Sequence, residues 1–205
     1  MAPSLSRFLA AMAYQNAWAN HRLLGACAEL TDAELAAPGV SFFPSLRATL
    51  NHIVTVDHLY VDALERALAG APPHPDIATF FDPEEPYLAL AALREAQAAV
   101  DARLVALCAR LDDAALDTSV EILRRAGAQR DTVARLLGHL FQHQIHHRGQ
   151  AHAMLAGTRV APPQLDEFFC AGEAHLRAAD FDALGFTEAL VWGDDAVAAP
   201  SALPS

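Results

Sequence analysis

His139-Leu140-Phe141-Gln142-His143-Gln144-Ile145-His146-His147-Arg148-Gly149-Gln150 decides how this chain is read. Four of its ten histidines fall here, and His139, His143 and His147 are spaced i, i+4, i+8. At about 100° per residue, that spacing puts three imidazoles on one face of a helix, where neighbours can share a metal ion. The helical period extends in both directions: Asp131 offers an N-cap, and the pattern runs to Ala156 before Gly157 stops it.

Working outward, the same period recurs with no sustained strand alternation. A first helix is expected from Ser4 to Leu30, followed by Thr31-Asp32-Ala33-Glu34 as a capping box for a short turn. A second starts at Pro44, in the first turn, and reaches Ala69 before Gly70. Ala71-Pro72-Pro73-His74-Pro75 breaks the chain. Asp82-Pro83-Glu84-Glu85 then has the cap, proline and acidic first turn of a third helix ending near Leu111. A less regular stretch reaches Arg130, ahead of the histidine-bearing fourth helix. Pro162-Pro163 opens a short fifth helix ending near Ala179. Four long helices, each with an apolar stripe, bury those stripes most simply against one another. The expectation is an all-α four-helix bundle with a short additional C-terminal helix. It forms one domain over residues 1–186, with an Ala/Pro/Ser-rich tail at 187–205.

Composition narrows the function. The 205 residues are 53% hydrophobic, enough for a sizeable core, and carry a formal net charge of -11. That charge, with no basic stripe to offset it, repels a phosphate backbone, so no nucleic-acid partner is expected. All 14 cationic residues are arginine, which excludes lysine Schiff-base chemistry. Cys27, Cys108 and Cys170 are odd in number and far apart, as free thiols in a reducing compartment are. Arg7, Gln15 and Asn16 interrupt any signal-like apolar region, and no apolar run is long enough to span a membrane. A cytoplasmic protein is expected.

The stripe through His143 and His147 also holds Leu136, His139, Gln150 and Met154, so these histidines are expected to face the core. A buried imidazole without a partner costs roughly 1–3 kcal/mol, so a row of them asks for a ligand. His146 lies about 60° off the line and His152 on the opposite side. An open divalent site usually takes a third protein ligand from another element. On the second helix, His52 shares a face with Ala48, Val56, Leu59 and Ala63. From the residues alone, a lone inward histidine such as His52 is more often a hydrogen-bonded core residue than a ligand, and His139 reads as a neighbour of the site or a structural residue. Asn51, Asp57, Arg148 and Gln150 are candidates to orient ligands, although projection sends Asp57 and Arg148 away from the core and none receives a catalytic role. The zincin pattern fails because Gln144 follows His143 where Glu is required. No Glu-x-x-His, phosphate loop or serine elbow occurs, which disfavours di-iron, nucleotide-hydrolysing and elbow-serine chemistry.

Ser45-Leu46-Arg47-Ala48-Thr49-Leu50-Asn51-His52-Ile53, followed far downstream by the histidine stretch, resembles the DinB/YfiT-like metalloenzymes. The likeness extends to Tyr14-Gln15-Asn16-Ala17-Trp18-Ala19-Asn20 and to Pro162-Pro163-Gln164-Leu165-Asp166, and covers most of residues 5–170. It implies a bundle whose metal is held by His52, His143 and His147, with His139 beside the site and His146 outside the ligand set. It also implies a homodimer and a divalent ion, zinc or nickel foremost, with iron and copper also compatible. The resemblance suggests a thiol-dependent S-transferase or isomerase that joins a low-molecular-weight thiol to a small electrophilic substrate. The alternatives are a metal-assisted hydrolase and a non-catalytic metal-binding stress-response module.

Overall fold

The computed structural model describes residues 4–193. Its long helices are α1 (Leu5–Cys27), α3 (Leu46–Leu68), α4 (Leu90–Cys108) and α5 (Val133–Ala156). They close a ring in which α1 packs on α4 and α5, and α3 packs on α4 and α5. The protein is all-α in class, as its sequence predicts. Each long helix contributes leucines or valines to the centre, among them Leu9, Val54, Leu104 and Leu137. Removing one such side chain, as in Leu137→Ala, costs about 2–5 kcal/mol in lost burial and cavity formation.

Local chemistry explains the helix starts. Ser4 and Ser45 sit in extended backbone and accept hydrogen bonds from the backbone N–H of Arg7 and Ala48. The capping box at Thr31 forms as read and opens the short α2 (Asp32–Ala36). The second long helix therefore starts at Leu46, with Pro44 outside it. The N-cap of α5 is Thr132 instead of Asp131: the Thr132 hydroxyl accepts from the backbone N–H of Arg135.

Three expectations need larger correction. The third long helix begins at Leu90, not at Asp82. Pro86 follows Pro83 by three residues, and in a helix starting there it would lack an N–H to donate and would crowd the carbonyl of Asp82. The segment instead crosses α3, where the Asn51 side chain accepts from Tyr87 N–H (2.9 Å) and donates to its carbonyl (3.0 Å). The irregular stretch contains a hairpin of β1 (Ser119–Arg124) and β2 (Gly127–Thr132), paired antiparallel from Ser119↔Thr132 to Arg124↔Gly127. Val120 and Ile122 bury one face of β1 against the core, and Gly127 takes the positive φ of 120° that the turn needs.

The third correction lies after α5. Pro162-Pro163 starts no helix, since each proline holds the residue before it in extended backbone. Short 3-10 turns at Glu167–Phe169 and Ala171–Glu173 precede α6 (Ala174–Leu184). The first residues of the expected tail are helical instead. Thr187 caps α7 (Glu188–Trp192), whose Val191 packs in a cluster with Trp18 and Phe168. Buried Arg177 fastens this end, donating two hydrogen bonds to Glu188 (2.8 and 2.9 Å) and others to the carbonyls of Glu167 and Cys170. The rest of the expected tail lies outside the described residues. Among the described residues no helix is long and apolar enough to cross a membrane.

Candidate metal centre

α3 and α5 run against each other, and His52 of α3 meets His143 and His147 of α5 at their contact. One ring nitrogen from each lies within 4.8 Å of the others. His52 Nε2 and His143 Nε2 are 3.0 Å apart. Ring centroids are separated by 4.9 Å (His52–His143), 4.6 Å (His52–His147) and 4.3 Å (His143–His147). Residues distant in sequence thus converge on one point. Among the described residues, no Asp, Glu or Cys joins this cluster.

The immediate surroundings fix the rings. Phe43, on the loop before α3, lies against His52 at 4.4 Å and His147 at 5.6 Å between centroids. Gln150, one turn beyond His147, meets its Nδ1 through Oε1 at 2.8 Å and meets His146 Nε2 through its own amide nitrogen at 3.0 Å. The amide oxygen can only accept, so His147 carries its proton on Nδ1 and leaves Nε2 free as a donor to a metal. His143 Nδ1 is buried with no hydrogen-bond partner.

Burial, reinforced by the neighbouring His147, lowers His52 to a pKa of about 4. Burial, with His147 and His52 next in weight, lowers His143 to about 3. His147 is lowered by burial as well, against the opposing hydrogen bond to Gln150. All three are therefore neutral at pH 7, the form in which imidazole binds a metal. A closely spaced trio of neutral nitrogen donors fits a divalent cation with an open coordination position.

The other histidines are dispersed. His139 is exposed, 6.2 Å from His143 between centroids, and packs edge-on to Tyr60. His146 is exposed and reaches the cluster through Gln150. His152 meets the carbonyl of Pro163 at 2.9 Å, and half-buried His58 lies away from the trio.

The histidine stripe is not the inward line of α5. Val133, Leu137, Leu140, Gln144, Ala151 and Leu155 form that line, about one residue's turn away, so the imidazoles sit at the flank between α5 and α3. Arg148 of α5 and Asp57 of α3 both lie in the core, contrary to the projection from sequence: they are 4% and 1% exposed. Arg148 donates to Asn16, Asn20 and Gln144. Gln97 donates to both Asp57 (2.8 Å) and Asp101 (3.1 Å), and Gln144 donates to Asp57. Burial pushes Asp57 up to about 7, with Asp101 adding to the push, and burial raises Asp101 to about 6. This polar layer ties all four long helices together, with one guanidinium for two carboxylates.

One histidine of α3 and two of α5, brought to a common point in a four-helix bundle, define the class: a helical bundle with a three-histidine centre suited to a divalent metal. The sequence model of the DinB family matches residues 5–175, and the chain belongs to that family. No curated protein matches the chain.

Proposed function

We propose that this protein is a divalent-metal enzyme that joins a low-molecular-weight thiol to a small electrophile, with His52, His143 and His147 as the metal ligands. The observation that carries the reading is the donor set: three neutral imidazoles and no carboxylate in the cluster. Such a set leaves a dication's charge uncancelled, so an anionic fourth ligand is favoured. The ion would supply one chemical service, bringing the pKa of a bound thiol or water toward neutrality. The chain's own residues do the rest. Gln150 holds the His147 tautomer, and the Phe43 ring covers one side of His52 and His147. Zinc or nickel suits three imidazoles, and the proposal includes a homodimer, as family resemblance implies.

Protein purified without a nickel column and analysed for metals should contain a divalent ion, and sedimentation should give twice the monomer mass. Each of His52→Ala, His143→Ala and His147→Ala should lose most of the metal, whereas His146→Ala and His152→Ala should keep it. In cobalt-loaded protein, glutathione should add a sulfur-to-metal charge-transfer band and release a proton, and His143→Ala should show neither. If cellular thiols leave that spectrum unchanged while carboxylates or phosphates perturb it, metal-assisted hydrolysis replaces thiol transfer. If nothing exchanges at the metal, a non-catalytic metal-binding role replaces both.

A further inference from the structure

One cavity lies apart from the three-histidine centre. It lies on the other side of the bundle, between α1 and α4 and beside Leu184 and Phe186, with a volume of about 740 Å³. That falls within the range of small-molecule sites, roughly 300–1,000 Å³. Ala98, Ala102 and Ala106 of α4 form one wall and Ala17 and Leu24 of α1 the other, so short side chains on both helices leave the space between them.

Its buried polar lining is Tyr14, Asn20, Gln97 and Asp101, while half-buried His21 and the exposed, oppositely charged Arg94 and Glu95 complete it. Tyr14 is 6% exposed and lines the cavity, its ring held edge-on against Phe186 at 4.9 Å. Its phenol has no hydrogen-bond partner among the described residues, and burial alone raises its pKa. Asp101, 5% exposed, also lines the cavity. Its Oδ1 accepts from Asn16 (3.0 Å), Asn20 (3.1 Å) and Gln97 (3.1 Å), but its Oδ2 accepts only from Asn20 (3.1 Å). A carboxylate oxygen takes about two donors, so Oδ2 keeps one place open.

We infer that this cavity is a second binding site, separate from the histidine centre, for a neutral molecule with an apolar body and a hydroxyl group. The alanine and leucine walls take the body. A hydroxyl both donates and accepts, matching the open place on Asp101 Oδ2 and the unpartnered Tyr14 phenol. An anionic head would face the Asp101 carboxylate. A cationic head would meet Arg94 on the lining and an Asp101 carboxylate whose charge Arg148 already offsets. Neither charge is favoured.

The probe is 2-naphthol, followed by its own fluorescence, with 2-methoxynaphthalene as a control that has the same body and cannot donate. One equivalent of 2-naphthol should bind, several-fold more tightly than the methoxy compound. Tyr14→Phe removes only the hydroxyl and should weaken 2-naphthol about three- to tenfold, the effect of one neutral hydrogen bond. Ala102→Trp, on an exposed part of α4, fills the space and should abolish binding with no change in metal content or the cobalt spectrum. Equal binding of the two naphthalenes with no effect of Tyr14→Phe overturns the inference, as does wild-type binding by Ala102→Trp. Ala102→Trp converting a dimer to a monomer also overturns it, because the groove is then a contact between copies.

Discussion

Gln150 Oε1 and His147 Nδ1 are 2.8 Å apart, and the amide nitrogen of the same Gln150 points at His146 Nε2 at 3.0 Å. One amide thus fixes the tautomer of a proposed ligand and draws a second, exposed histidine into its support. Such supporting partners are worth about 10- to 100-fold in metal affinity. Gln150→Ala should weaken metal binding within that range in a chelator competition, with the melting temperature of metal-free protein nearly unchanged. Gln150→Glu keeps an acceptor for Nδ1–H and should restore the affinity. Equal affinity in wild type and Gln150→Ala would show that the helix alone positions His147.

The trio also sets a pH dependence. Unfolded imidazole titrates near 6.5, whereas the fold holds His52 near 4 and His143 near 3. Between those values the unfolded chain binds protons that the folded protein does not. The contribution of these residues to stability is therefore complete above about pH 6.5 and is lost as pH falls toward 4 and 3. His143→Gln removes one titrating ring, so the melting temperature of metal-free wild type minus that of the variant should fall as pH drops from 7 to 4. A pH-independent difference would mean that His143 titrates normally in the fold. Bound metal competes for the same nitrogens, so the loaded protein should lose its ion over roughly pH 6 to 4.

The sequence made the site more legible than its surroundings. His143 and His147 are one turn apart on a capped helix, a spacing that survives any error in helix boundaries. His52 needed the Leu50-Asn51-His52 resemblance, because nothing local distinguishes a ligand from a core histidine. Histidine spacing does not mark the inward line of α5, which Leu137, Leu140, Ala151 and Leu155 set one residue away. The burial of Arg148 on α5 and of Asp57 on α3 depends on Asn16, Asn20, Gln97 and Asp101 from other helices. No single-helix projection contains such a partnership. The hairpin is illegible for a different reason: Val120 and Ile122 are its buried strand signal, and β2 reads Gly-Ala-Gln-Arg-Asp-Thr with no apolar face. At Phe43 the missing signal was spatial, an aromatic in a loop that folding brings onto His52.

The buried polar layer should respond to pH in the opposite sense. Free aspartate titrates near 3.9, but burial and the adjacent Asp101 raise Asp57 to about 7. The folded protein retains a proton that the unfolded chain has released, so this residue's contribution is full below about pH 4 and is lost as pH rises through 7. Asp57→Asn keeps an oxygen to accept from Gln97 and Gln144 and removes the second negative charge beside a single guanidinium. The variant's melting temperature relative to wild type should therefore rise between pH 4 and 7 and level off above, by roughly 2–4 °C for each 1 kcal/mol of buried charge relieved. Replacing Asp101 as well strips Arg148 of both carboxylates, and the double variant should lose about 3–5 kcal/mol, as expected for an unpaired buried charge. Melting curves from pH 4 to 9 for wild type, Asp57→Asn and the double variant test both steps. An Asp57→Asn difference that stays constant or declines toward alkaline pH would mean that Asp57 is ionised throughout and that Arg148 needs both carboxylates.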